Sequence, residues 1–334
     1  MPSASAVAVY GAGGHTGRFV VEELRRRRMP VIAVGRRGAT LPTSVPTRVA
    51  AIDDTEALTR AFAECAVVIN CAGPFLDTAE PIIKAAIGSG SGYLDVTAEQ
   101  ASAMKTFELF DSPARAARVA VIPAAGFYGG LADLLVTALA GAETEVDEVT
   151  VAVALDHWWP TRGTRKTGER NRVPRMIIDG YHLAPMPLPA ARSSWHFDEP
   201  HGEQRMVELP FSEVITISRH LRARSLRSYL TQSSLDEIRN TTTPPPSPND
   251  ERGRSAQRFE MVVQAREGTT VRTANASGRD IYAISAPLVV EAAARMMQSG
   301  FGRFGACALA QAFDPRAFLA ALSPEHLKVT LPRS

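Results

Sequence analysis

Seven residues, Gly11-Ala12-Gly13-Gly14-His15-Thr16-Gly17, join a short apolar run at 6–10 to a helical pattern at 16–28. They satisfy GxxGxxG at 11, 14 and 17 and also hold a GxG pair at 11 and 13. Glycine tolerates positive φ and lets backbone N–H groups come close to a bound group, while a helix N-terminus attracts anions. A strand, this turn and a helix at the start of a βαβ unit point to a dinucleotide pyrophosphate. Gly11, Gly13, Gly14, His15, Thr16 and Gly17 are the candidate cradle. An acid about 20 residues further on would hold the ribose 2′-hydroxyl of NAD(H). The next strand ends instead in Val34-Gly35-Arg36-Arg37, with no acid nearby. Two guanidiniums suit a 2′-phosphate, so NADP(H) is expected in preference to NAD(H). Asp53 either accepts from the adenine amino group or is a surface acid.

Reduction also needs a proton donor, and three side chains are candidates. Tyr128 follows a strand at 119–123 and either donates from its hydroxyl or packs. His157 ends a later strand beside Trp158 and Trp159, as an acid, a pocket wall or a core residue. Lys166, with Arg162 and Arg165, either meets a substrate carboxylate or phosphate or forms a solvated basic loop. Trp158 is a candidate for an apolar substrate pocket, or packs under a sheet. No tyrosine has lysine four places on, so short-chain dehydrogenase chemistry is disfavoured. HExxH, Gly-x-Ser-x-Gly and Walker patterns are missing, and no metal is expected.

The elements that must position these residues change character along the chain. Apolar runs at 6–10, 31–34, 49–52, 67–71, 93–96 and 119–123 are separated by helical patterns at 16–28, 55–64, 78–88 and 101–117. Such alternation predicts an α/β fold, a Rossmann doubly wound parallel sheet covered on both faces. Strands are expected at 146–155, 214–218, 259–265 and 269–276, in one open mixed sheet. A mobile loop is expected at 241–254 (TTTPPPSPNDERGR), an exposed basic stretch at Arg219, Arg222, Arg224 and Arg227, and a helix at 287–298. The expected organisation is a nucleotide-binding domain over 1–140, an inserted substrate and dimerisation domain over 141–285, and helices over 286–334 that return to the first domain.

Over its 334 residues the chain is 45% apolar and 22% charged, with a net charge of +2. That balance suits a globular protein and gives no reason to expect nucleic acid or a membrane as partner. Three scattered cysteines, Cys65, Cys71 and Cys307, form no disulfide framework, and a cytoplasmic protein is expected.

Taken together, VYGAGGHTGR at 9–18, VGRR at 34–37, INCAGPF at 69–75, YLDVTAE at 93–99, AGF at 125–127 with Asp133, and SGRDIY at 277–282 resemble the saccharopine dehydrogenase-like oxidoreductases. That superfamily includes saccharopine reductases and trans-acting enoyl reductases. The resemblance is firm over 6–135 and thin over 160–275. It implies a Rossmann domain, an inserted α/β domain with a broad sheet, a C-terminal return, and a homodimer through the inserted sheet. It also implies that Ala72, Gly73, Pro74 and Phe75 run along the nicotinamide ribose and that Gly126 and Phe127 lie near the ring. The family often has glycine where Ala98 stands and an acid where Tyr128 stands, so substrate choice does not carry over. The expected activity is NADPH-dependent reduction of a small organic molecule with an activated C=N, C=O or C=C bond. The alternatives are a non-catalytic NADP(H) sensor that binds a protein partner, and reduction of a carrier-bound acyl intermediate.

Overall fold

The computed structural model describes residues 6–141, 144–170 and 172–332. Its first half alternates β1 (Ala6–Tyr10), α1 (His15–Arg26), β2 (Val31–Gly35), β3 (Thr47–Val49), α2 (Thr55–Phe62), β4 (Cys65–Asn70), α3 (Phe75–Gly88), β5 (Gly92–Asp95), α4 (Gln100–Ala117) and β6 (Ala120–Ile122). A π-helical turn at Phe127–Leu131 leads into α5 (Ala132–Ala140). Then come β7 (Glu145–Leu155), α6 (Arg162–Arg170), β8 (Met176–Asp179), β9 (His182–Pro185), β10 (Arg192–His196) and β11 (Glu203–Glu208). These lead to α7 (Glu213–Ile217), β12 (Arg222–Thr231), α8 (Gln232–Arg239), β13 (Arg258–Glu267) and β14 (Thr270–Arg279). The chain closes with α9 (Ser285–Met296), β15 (Gly305–Ala306), α10 (Leu309–Ala312), α11 (Pro315–Leu322) and β16 (Lys328–Thr330).

Seven strands form a parallel sheet in the order β15-β6-β5-β4-β1-β2-β3. The runs at β1, β2 and β4 are nearly continuously apolar and buried, as parallel strands covered on both faces require. The second sheet has nine strands, running β10-β11-β12-β7-β13-β14-β16 with β8 beside β12 and β9 beside β8. It is mixed, since β7 runs parallel to β12 and antiparallel to β13. The wholly buried α5 packs against β13 and β14 and so joins the two sheets. This is the expected Rossmann domain with an inserted mixed-sheet α/β domain. The last segment divides: α9 packs on α1, β15 extends the first sheet, and β16 joins the second.

One local expectation is corrected. Residues 214–218 are not a strand but lie in α7, where Ile215 N and Thr216 N both donate to Ser212 O at 3.0 Å. The β-branched run there is fully buried, and packing overrides its strand preference. Arg222, Arg224 and Arg227 belong to β12; Arg222 and Arg224 are exposed, as expected, and Arg227 is partly buried. There they face Glu145 at 3.2 Å, Asp147 at 3.6 Å and Glu208 at 3.1 Å. The proline-rich segment at 241–254 is a mostly exposed loop, as expected, and two arginines reach it: Arg165 donates to Thr243 O at 2.7 Å, and Arg279 to Asn249 Oδ1 at 2.9 Å. Its side chains are polar, as its composition implies, but distant arginines satisfy its acceptors. Among the described residues no helix is long and apolar enough to cross a membrane, and no cluster of three or more metal-ligating side chains occurs.

Candidate functional site

A cleft of about 980 Å³ runs along the C-terminal ends of the parallel strands, where ligands of such sheets bind. Two smaller hollows, of about 400 and 270 Å³, lie among β10, β13 and β14, away from the glycine turn.

At one end the turn after β1 is shaped by the absence of side chains. Gly11 has φ +79°, and a Cβ there would lie 3.0 Å from Ala72. A Cβ on Gly13 would lie 2.0 Å from Thr40 O, and one on Gly17 only 2.2 Å from Gly11 O. Gly13 and Gly17 thus serve backbone packing, while Gly11, Gly13, Gly14, His15 and Thr16 line the cleft. Gly14 precedes α1 without any side-chain cap, and the first turn of α1 holds no acid. Its N–H groups and the positive end of the helix dipole therefore face the cleft. His15 stands edge-on to Phe19 and Tyr282, and its buried Nε2 has no hydrogen-bond partner. Burial lowers the His15 pKa, which favours the neutral ring. An uncapped helix, an orphaned buried nitrogen and a side-chain-free turn fit a dinucleotide pyrophosphate.

Arg36 lines the cleft beside Gly38, Thr40, Ile52 and Asp53, and it is exposed there. Arg37, next to it, is also exposed but is not among the residues that line the cleft.

The middle of the cleft is pinned by polar groups. Ala72 N donates to Asn70 Oδ1 at 3.0 Å, and the Thr78 hydroxyl donates to Ala72 O at 2.6 Å. Phe75 N and Leu76 N donate to the buried Glu99 carboxylate at 2.7 and 3.1 Å. Ala72, Gly73 and Phe75 line the cleft, whereas Pro74 caps α3 outside it. Gly126 begins the π-helical turn, with Leu131 N donating to its carbonyl at 3.2 Å. A Cβ on Gly126 would stand 3.1 Å from Ser285 and Val96, so it gives Phe127 room to reach the cleft but does not line it.

Behind this floor, Asp95 Oδ1 accepts from Ala124 N at 2.7 Å and Thr97 N at 3.0 Å, and Oδ2 accepts from the Tyr93 hydroxyl at 2.8 Å. Burial pushes the Asp95 carboxyl up to about 6 from 3.8, against the pull of these three donors. The folded chain therefore holds that proton more tightly than the unfolded chain. The contribution to stability is complete below about 3.8 and is lost as pH rises through about 6. From this group a loss of about 2–3 kcal/mol is expected between acid and neutral pH. Urea unfolding at the two pH values, on wild type and Asp95→Asn, checks it. The variant should lose that part of the slope, and an unchanged slope would exclude the assignment.

At the inner end the cleft turns aromatic. Tyr128 and Trp158 line it as expected, with Phe127, Phe211 and Tyr282. The Tyr282 hydroxyl gathers Trp158 Nε1 at 3.0 Å, Thr164 Oγ1 at 2.9 Å and Thr161 N at 3.4 Å, which anchors α6 over the cleft. Arg170 on α6 also meets Asp77 of α3 at 2.8 Å. Arg162 and Lys166 line the cleft from α6. Arg165 does not, because its guanidinium donates to the carbonyls of Asn240 and Thr243. His157 also falls outside: Nδ1 lies 2.8 Å from Glu237 Oε1, and the half-exposed ring stacks on Trp159. Glu237 takes the Trp158 N–H with its other oxygen, so His157 and Glu237 fix the tryptophan from outside the cleft. Sequence reasoning missed Arg175 and Phe211 in the site. Glu99 and Tyr282 were visible only as parts of the YLDVTAE and SGRDIY motifs.

The parallel sheet, the uncapped glycine turn and the second sheet closing over them define a two-domain protein with a Rossmann nucleotide-binding domain. Residues 7–121 match the family model described as "Saccharopine dehydrogenase NADP binding domain". A saccharopine dehydrogenase-like oxidoreductase of Bos taurus is 29% identical over 152 residues, 38% of this chain and 35% of that protein. The chain thus matches about a third of the length of that relative. Among solved structures, apo saccharopine dehydrogenase (L-Glu forming) of Saccharomyces cerevisiae superposes with a TM-score of 0.65 at 12% identity, over 98% of this chain and 100% of that one. Corynebacterium glutamicum DAP dehydrogenase in complex with DAP gives 0.54 at 14% identity, over 96% and 98%. The chain is saccharopine dehydrogenase-like in its nucleotide-binding domain and shares the saccharopine dehydrogenase fold throughout.

Proposed function

We propose that the chain is an NADP(H)-dependent oxidoreductase acting on a small organic molecule bound at the aromatic end of the cleft. One observation carries this: a single continuous space joins the uncapped α1 turn, the 72–75 segment and the Tyr128, Trp158 and Phe211 walls. A nucleotide laid along it brings its reactive end to a pocket large enough for a second molecule. When bound, the nicotinamide supplies or takes up the hydride. The chain's part is to hold both partners in contact and to exclude water. α6, fastened to Tyr282 and Asp77, supplies the cover. Oxidation of NADPH across ketone, enone and imine panels tests the proposal. Turnover on any panel supports it. Tight nucleotide binding without turnover would favour a sensor instead.

Preference for NADP(H) belongs to the same proposal and rests on Arg36, which lines the cleft and makes no ion pair among the described residues. Arg36→Ala is expected to weaken NADPH binding by about 10–100-fold, the worth of a charge-assisted contact, and NADH binding by less than about threefold. Parallel calorimetric titrations check it, and an equal loss for both nucleotides would remove Arg36 from that role.

A further inference from the structure

The inner end of the cleft carries donor groups that fold stability does not require. Tyr128 is only 9% exposed, and its hydroxyl is buried with no hydrogen-bond partner. Its ring stacks on Phe211 with centroids 4.1 Å apart, and the Arg175 guanidinium lies 4.7 Å from the same centroid. Arg175 lines the cleft, donates to Pro210 O, and forms no ion pair among the described residues. The nearby buried Glu213 accepts from Phe211 N at 2.8 Å through Oε1, while its buried Oε2 makes no hydrogen bond; its carboxyl does not line the cleft but acts on both Arg175 and Tyr128.

The charged side chains that line this end are mainly cationic. Arg162 and Lys166 add two cations from α6. Glu99 is the carboxylate on this half of the wall, and it already accepts from two backbone N–H groups. A buried donor without an acceptor costs free energy, so a ligand that fills the space gains by bringing one.

We infer that Arg175 and Tyr128 form a site for an oxygen that is or becomes anionic, and that the substrate is a flat carbonyl compound, a ketone or its conjugated enone, rather than an imine. This rests on the proposed oxidoreductase reading. In the ketone case the hydride forms the new C–H bond and the C=O π pair moves to oxygen. That oxygen takes the Tyr128 proton, and water restores the hydroxyl. Arg175 faces the charge that develops on oxygen. An imine must be protonated to accept hydride readily. Its positive charge would then meet Arg175, Arg162 and Lys166 along the wall, where Glu99 is already engaged and Glu213 lies outside the lining. Phe127, Tyr128, Trp158 and Phe211 give this end of the cleft an apolar aromatic lining that suits such a compound.

Benzoate and benzylammonium, of similar shape and opposite charge, are the probes, read by tryptophan fluorescence and calorimetry on the full chain. Benzoate is expected to bind and benzylammonium not to. Arg175→Met should weaken benzoate by about 10–100-fold, and Arg175→Lys by less. NADP+ affinity of each variant, measured separately, should match wild type and so reports an intact fold. Benzoate binding unchanged in Arg175→Met, benzylammonium binding better than benzoate, or turnover of cyclic imines ahead of ketones and enones would each overturn the inference. Failure of the wild-type chain to bind NADP+ would instead overturn the oxidoreductase reading.

Discussion

Gly17→Ala is expected to weaken NADPH binding by about 100-fold or more and to lower stability by about 1–3 kcal/mol. The added Cβ would lie 2.2 Å from Gly11 O and 2.9 Å from the Ala12 Cα, both backbone atoms of the turn itself. Neither can swing aside as a flexible side chain would. The first turn of α1 must therefore move off the loop, and Gly14 N loses its 2.9 Å bond to Gly11 O. A displaced helix start no longer presents its N–H groups where a pyrophosphate would lie. Gly88→Ala is the matched control: its Cβ would meet nothing nearer than Thr59 at 3.9 Å, so it should be neutral or slightly stabilising. NADPH fluorescence titration and thermal unfolding of both variants check the expectation. Wild-type affinity in Gly17→Ala would show that the turn does not hold the nucleotide.

Tyr128→Phe is expected to lower kcat by about 10²–10⁴-fold while raising stability by about 1 kcal/mol. These opposite signs separate a functional hydroxyl from a structural one. The Tyr128 ring is held by Phe211 at 4.1 Å and Phe127 at 5.0 Å, and both contacts survive the substitution. The variant removes only a buried oxygen without a partner, whose desolvation the fold currently bears. Burial also raises its pKa, while the nearby Arg175 pulls it back down, so the proton stays on the hydroxyl until an acceptor arrives. Nucleotide affinity should not change. A loss of stability with activity retained would make Tyr128 a packing residue, the other meaning the sequence allowed it.

The two outcomes bear on how far the chain could be read before its fold was known. The glycine turn, the parallel strands and the order of the first domain follow from short-range signals. Positions 11, 14 and 17 lie within one turn, and strand and helix periods repeat every two to four residues, so their physics is local. Arg36 was legible because it ends a strand. The basic runs gave less. Arg222 and Arg224 are exposed, as their charge implies, but the acids that they and Arg227 meet come from β7 and β11, which no local run reveals.

Composition, spacing and periodicity determined by themselves that the chain has a glycine turn fit to cradle a nucleotide, a doubly wound first domain and a second half with strands of a mixed sheet. Tertiary structure alone decided which side chains meet in the cleft. Arg175, Phe211 and Tyr128 are 36 to 83 positions apart, and His157 was turned outward by Glu237, 80 residues away. Contacts across such separations depend on how β12 and α7 pack against α5 and on where α6 is anchored. No local pattern encodes that geometry, because many placements of the same polar residues satisfy the same short-range preferences.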